Sequence, residues 1–456
     1  MVKIWSGGAS KEGGIDLSDV MTSEDAKIDS ILLDYELTSL IAYHLQLRNE
    51  SIIPLKDSDS ILAGLVSMLG KKTKLDPALE DVHGFVENYL KKKGGNAYKN
   101  LRVFLSRNEQ SHTNIRSFYI DHLLRVSKNL ISISELMHVR KGKSKGEMPG
   151  YTHNQQAMPV TVSSYFDYLS RTFLDVSLEA IKQCDELMET SPLGYGSGFG
   201  SLSPVDFNAI AKNLGFKSKT RNPMAGAFHR GFDDLNVSVF LLKVMVLLSR
   251  ISQDFIIFSS GKSPFATLPS GFTTGSSLMP NKKNPDFLEM VQGYASEAVG
   301  RLVSTSGILL NKHSGYHREF QISKDGTIEY MILAEKLLDH FRAFLLKVGL
   351  DEEKARESME NSVNATAEAY SIFKSGKSWK DSYALAGEKV RRGIPLDYHR
   401  PQEYDSVSNT DILLAKSERG KILRSWSKPR KETINKAKLI ISGSRAGGRQ
   451  SKGRYA

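Results

Sequence analysis

IRSFYIDHLLRVSKNLISISELM, residues 115–137, decides the fold. Within it Ile115, Phe118, Tyr119, Leu123, Val126, Leu130, Ile133 and Met137 keep an i, i+3/i+4 stripe. That spacing is one face of an α-helix. The stripe lasts about six turns, and helices this long pack lengthwise in bundles. The basic, glycine-containing stretch Arg140–Gly146 ends it.

The same period extends in both directions. Upstream, Ile28, Ile31, Leu32, Tyr35 and Ile41 mark a helix, shorter ones are expected at 58–69 and 79–92, and Lys91–Asn96 reads as a turn. Downstream, long helices are expected at 160–190, 232–259, 284–310 and 324–348. Shorter ones follow at 351–374 and 378–391, before a proline-containing connection, Gly393–Pro401. No long stretch alternates as a sheet strand would. The expected fold is all-α: an N-terminal helical domain (1–105), a central long-helix bundle (106–349) and a small C-terminal helical domain with a basic tail (350–456).

Composition narrows the class. At 456 residues, 40% hydrophobic and 25% charged, the chain suits a soluble globular protein of two or three domains. Its one cysteine, Cys184, excludes an internal disulfide framework and points to a reducing, cytoplasmic setting. The start, MVKIWSGGAS, lacks an apolar signal core. The most apolar run, Val237–Leu248, is broken by Lys243 and is too short to span a bilayer, so a buried bundle helix is expected and no membrane partner. The net charge is +11, concentrated near the C-terminus at Lys428, Arg430, Lys431, Lys436, Lys438, Arg445, Arg449, Lys452 and Arg454. Such charge can attract nucleic acid. With little aromatic interleaving, the tail reads instead as solvated and partly disordered, and nucleic acid is not the expected partner.

Four stretches carry chemistry. GFTTGSSLMPNKKNPD, Gly271–Asp286, gathers glycines, hydroxyls, Lys282, Lys283 and Asn284. Glycines allow positive φ, and successive N–H groups can cradle an anion, so this loop suits work on a carboxylate. Leu105–Gln110 offers Arg107, which can fork two hydrogen bonds to a carboxylate; Ser106 or Asn108 could equally cap the helix. In Met148–Gln155 a Pro-Gly turn is expected to present Thr152 and His153, and His153 can exchange protons near neutral pH. Glu289, after the serine loop, is its candidate carboxylate partner. Tyr316–Lys324 mixes a phenol, an amide and cations.

Together these blocks resemble the argininosuccinate lyase family of the fumarase/aspartase superfamily. Gly275–Pro285 is similar to its signature loop, Ser106–Gln110 to Ser-Arg-Asn-Asp-Gln, and Met148–His153 to Met-Pro-Gly-Tyr-Thr-His. Tyr316, Gln321 and Lys324 fall on its Tyr, Gln and Lys, and Glu80–His83 matches Glu-Asp-Val-His. The resemblance covers about residues 3–400. It implies a homotetramer sharing one bundle, with each active site built from three chains. It implies reversible cleavage of a small-molecule substrate, argininosuccinate, to arginine and fumarate, in arginine biosynthesis and without metal or organic cofactor. By position, Ser276 is the base, His153 assisted by Glu289 transfers a proton, and Lys282 and Asn284 stabilise the carbanion. Arg107, Asn108, Thr152, Tyr316, Gln321, Lys324 and Ser23 bind substrate.

The chain departs from the family at Gly7–Ser10, at Phe228–Phe232, which keeps Arg230, at Met158, and at Leu40 and Tyr43. Rival readings are another fumarate-releasing lyase such as adenylosuccinate lyase, a non-catalytic structural homologue, and a basic scaffold binding nucleic acid through residues 428–456.

Overall fold

The computed structural model describes residues 23–71, 73–76, 79–93 and 95–451; the side chains of residues 23–25 and 444–451 are not described. The N-terminal helices are α1 (Ser23–Asn49), α2 (Leu55–Met68) and α3 (Val82–Lys93). Then comes α4 (Arg107–Lys141), whose Ser106 side chain and Glu109 form a capping box. A hairpin of β1 (Glu147–Thr152) and β2 (Gln155–Thr161) leads into α5 (Val162–Met188). The two-residue strands β3 (Thr190–Ser191) and β4 (Ser218–Lys219) pair in parallel around α6 (Phe207–Asn213). Next are α7 (Pro223–Phe258), β5 (Ala266–Thr267), β6 (Thr274–Gly275) and β7 (Lys283–Asn284). They are followed by α8 (Asp286–Leu309), α9 (Phe320–Lys347) and β8 (Gly349–Leu350). The chain closes with α10 (Glu352–Glu357), α11 (Ala365–Lys374), α12 (Trp379–Arg391) and α13 (Asn409–Ser451).

The bundle has a definite polarity. Asp234 of α7 accepts from Ser323 of α9 at 2.7 Å and from Tyr119 of α4 at 2.6 Å. Further along, Phe255 of α7 meets Phe344 of α9 with ring centroids 5.3 Å apart, and Arg140 of α4 donates to the Leu345 carbonyl. So α4, α7 and α9 run parallel. α5 runs against α4, since Ser134 bonds to Ser170 while Cys184 meets Ile120. α8 runs against α7 and α9: Phe287 lies beside Phe344, and Arg301 reaches Gly326. Near the start of α7, a Cβ on Gly231 would lie 2.1 Å from the Leu309 side chain of α8, so only glycine fits without displacement.

The stripe that decided the fold is buried: Ile115, Phe118, Tyr119, Leu123, Val126, Leu130, Ile133 and Met137 are all fully enclosed. α7 begins nine residues earlier than its apolar pattern suggested, because Asn222 caps it and Pro223 occupies the first turn. Its length and composition would suffice to cross a membrane, but 56% of the qualifying window is buried within the fold. The single helix expected at 351–374 is two, split by a turn at Asn361–Asn364.

Two further expectations fail. Pro149-Gly150 is not the turn before α5; both residues pair within β1, opposite Pro159 and Met158. The chain reverses instead at His153 and Asn154, with φ of 53° and 60°. Left-handed residues at both positions match the twist of a two-residue hairpin. The C-terminal stretch is not a disordered tail either, since residues 409–451 form one helix. Trp426, Thr433 and Ala437 of α13 are buried, and the helix lies against α1, α2, α4, α5 and α6. The Trp426 indole donates to Asp121 at 2.7 Å, and Arg430 stacks over Tyr35 and Trp426.

Candidate active site

The candidate residues divide between the two ends of the bundle. At the end where α4, α7 and α9 begin, they sit in a dense polar network. Arg107, first residue of α4, donates to Asp81 at 2.7 Å and lies 3.7 Å from Glu80. Lys324, in the second turn of α9, is buried and pairs with Asp29 at 2.9 Å and Asp325 at 3.2 Å. The other Asp29 oxygen accepts the Val82 N–H, joining α1, α3 and α9. Beside it Glu36 takes His83 at 2.8 Å, Asn114 at 2.8 Å and Gln110 at 3.1 Å. Burial alone would lower the His83 pKa, but the Glu36 charge outweighs it and holds His83 above its ordinary value. Glu36 is held below its own ordinary value, His83 and the amide donors outweighing its burial.

Asn108, Tyr316 and Gln321 are half-buried at this same end. The Asn108 carbonyl accepts from Tyr195 at 3.1 Å. Ser23 opens α1, but its side chain lies outside the described residues.

Sequence reasoning missed how this end is fastened. Gly194, Gly196, Gly198 and Gly200 all have positive φ, forming a loop other residues would strain. The N–H groups of Gly194 and Gly196 both donate to Glu109, at 2.7 and 2.9 Å. Glu109 therefore caps α4 and clamps the loop at once. Burial pushes its carboxyl pKa up, against three N–H donors that favour the charged form. Alternate glycines at 194–200 and the Ser-x-x-Glu cap were both visible signals. Arg230 is fully buried nearby, with Nε and Nη1 lacking protein partners, and Asp234 raises its pKa despite burial.

The opposite end carries the chemical groups. Thr152 and His153 are exposed at the β1–β2 tip. Tyr151 of that hairpin packs on Phe258, near the end of α7. The serine loop forms its own hairpin, Thr274 opposite Asn284 and Gly275 opposite Lys283. Ser276 is half-buried, and its Oγ accepts the N–H groups of Leu278 at 3.2 Å and Met279 at 3.0 Å. Donors aimed at an oxygen favour its anionic form. The N–H cradle expected for a ligand is thus turned on the serine itself. Lys282 and Glu289 are exposed and Asn284 is half-buried. Among the described residues no ion pair joins His153 to Glu289 within one chain. Neither Gly271 nor Gly275 has positive φ, and a Cβ on either would meet nothing within 4 Å. Among the described residues no group of His, Cys, Asp and Glu is gathered to hold a metal.

The two ends are far apart. Lys324 and Phe344 are twenty residues apart on one helix, roughly 30 Å. Phe287, two residues before Glu289, lies 6.0 Å from the Phe344 ring.

A family of lyases matches residues 30–300, more than half of the sequence. The chain belongs to this lyase family. The lyase is similar to argininosuccinate lyase from Thermotoga neapolitana, 29% identical over 397 residues, covering 86% of this chain and 98% of the relative. Argininosuccinate lyase from Lachnospira eligens is 29% identical over 419 residues, covering 89% and 90%. Among solved structures, an EDDS lyase in complex with formate gives a TM-score of 0.67 at 21% identity, covering 92% of this chain and 88% of that one. A class II fumarase from Schistosoma mansoni gives 0.69 at 16% identity, covering 92% and 93%. The lyase therefore has the helical-bundle fold of the fumarase/aspartase superfamily.

Proposed function

We propose that this lyase cleaves argininosuccinate reversibly to arginine and fumarate, as the names of its relatives suggest. The observation that carries the reading is the Ser276 hydroxyl, held as acceptor of two backbone N–H groups on a loop bearing Lys282 and Asn284. A serine hydroxyl is a poor base in water. Two N–H donors and a nearby ammonium lower the cost of its alkoxide.

Ser276 takes the proton from the carbon next to the substrate carboxylate. The resulting doubly charged aci-carboxylate is stabilised by Lys282, Asn284 and loop N–H groups, each such donor contributing about 3 kcal/mol. The carbon–nitrogen bond then breaks. The departing guanidine is a strong base and takes a proton from His153, which Glu289 supports. Arg107, Asn108, Tyr316, Gln321, Lys324 and Ser23 hold the distal part of the substrate, and Thr152 the part near the reacting carbon.

The separation of roughly 30 Å along α9 supports a site shared between chains. Copies packed with their bundle axes reversed bring the serine loop of one beside Lys324 of another. α7 and α8 offer the surface for this: Met224, Phe228, Phe232, Val239 and Val246 on α7, with Met290, Val299 and Val303 on α8, are exposed apolar residues. A cytoplasmic homotetramer is the assembly we assign, with no membrane partner and no cofactor. The test is fumarate absorbance on incubation with argininosuccinate and, separately, adenylosuccinate. Release from argininosuccinate supports the reading; release only from another succinyl compound replaces it with a sister lyase.

A further inference from the structure

We infer that α13 is a docking ridge for the phosphate backbone of duplex nucleic acid, separate from the lyase chemistry. Between Arg419 and Ser451 the chain has ten lysines and arginines and a single acid, Glu432. Because this stretch is helix, with Pro429 inside it, rather than a loose tail, its charges follow the helical period. Lys421, Arg424, Lys428, Lys431 and Lys438 are all exposed. At 3.6 residues per turn they fall within an arc of about 100° and extend about 26 Å. The buried Trp426, Thr433 and Ala437 lie on the opposite side and fasten the ridge to the fold. Among the described residues only Lys428 of these five has an acidic partner, Glu432, at 3.9 Å. The three-and-four spacing continues in sequence through Arg445 and Arg449, where the backbone is still helical.

The chemistry selects the partner. An interfacial helix inserts a continuous apolar face into lipid, whereas α13 exposes scattered leucines, Leu413, Leu414, Leu423 and Leu439, and buries Trp426 and Ala437 in the protein. Single strands are held by aromatic platforms, and the one tryptophan of α13 is buried. A line of exposed cations with no exposed aromatic residue among the described residues of α13 suits phosphates first, with little dependence on sequence.

The test is fluorescence anisotropy of a labelled DNA duplex of ~20 base pairs with the full-length oligomer across a salt series. Four to five engaged cations give a slope of log affinity on log salt of about −4. Lys421→Glu/Lys428→Glu/Lys431→Glu should reduce that slope by about three, with solution mass and melting temperature unchanged. The proposal is overturned if wild-type protein shows no salt-dependent duplex binding, or if the triple variant binds as well as wild type. It is also overturned if vesicles containing phosphatidylserine bind while the duplex does not. None of these readings depends on fumarate release, so the ridge and the lyase assignment stand or fall separately.

Discussion

The two ends of the bundle differ in kind. Where α4 and α9 begin, carboxylates are already matched: Asp81 to Arg107, Asp29 to Lys324, Glu36 to His83. At the other end Lys282, His153 and Glu289 stand exposed on or next to hairpins. One end is organised within the chain; under the proposed function, the other is completed by a neighbouring copy. Binding groups can be held rigidly by a single subunit. In that reading, the groups proposed to move protons sit where a second subunit can exclude water around them.

The strongest way to break this contrast is at the exposed end. Ser276→Ala is expected to lower kcat by about 10²–10⁴-fold, the range for loss of a general base, while substrate still binds. Turnover near wild type in a stopped-flow fumarate assay would exclude Ser276 as the base. Phe228→Asp/Phe232→Asp, on the exposed α7 stripe, should convert the oligomer to smaller species by light scattering and remove activity with it. Activity in a stable monomer would sink the shared site.

At the organised end, Lys324→Ala should weaken substrate binding and also destabilise the fold. Removing one partner of a buried ion pair leaves Asp29 uncompensated, at about 3–5 kcal/mol by denaturant titration. Mixing this variant with Ser276→Ala should restore turnover, because mixed oligomers contain sites with both residues intact. No recovery would place both residues in one chain's site.

The smallest effect concerns pH. Burial pulls the His44 pKa from 6.5 down to about 4 and that of His112 down to about 3. Between those values and 6.5 the unfolded chain binds more protons than the folded one. The stability lost through His44 and His112 should therefore be nil above about pH 6.5 and grow as the medium is acidified toward pH 4. His44→Gln should flatten that fall by roughly 3 kcal/mol at most, since each pKa unit corresponds to ~1.4 kcal/mol. An unchanged acid slope would show that His44 titrates normally.

Much of the bundle was legible because its helices carry unbroken apolar stripes, as α4 does from Ile115 to Met137. The β1–β2 hairpin was not, because Pro149-Gly150 imitates a turn while His153-Asn154 makes one. α13 was hidden for a different reason. Its fully buried positions, Ile412, Ala415, Trp426, Thr433 and Ala437, are scattered among lysines, serines and Pro429, too sparse for a periodic signal. In the candidate site, local order exposed the serine loop, and Ser106–Glu109 announced its own cap. The distance between the ends was not legible, because no local pattern records which helix termini share a level of the bundle.

The seating of α13 on α1 has a consequence for synthesis. Arg430 covers the ring of Tyr35, a residue made 395 positions earlier. At about 5–20 residues per second, a ribosome needs roughly 20–80 s to span that interval. Throughout that time the nascent first helix is without its final cover, a natural occasion for chaperones to hold it.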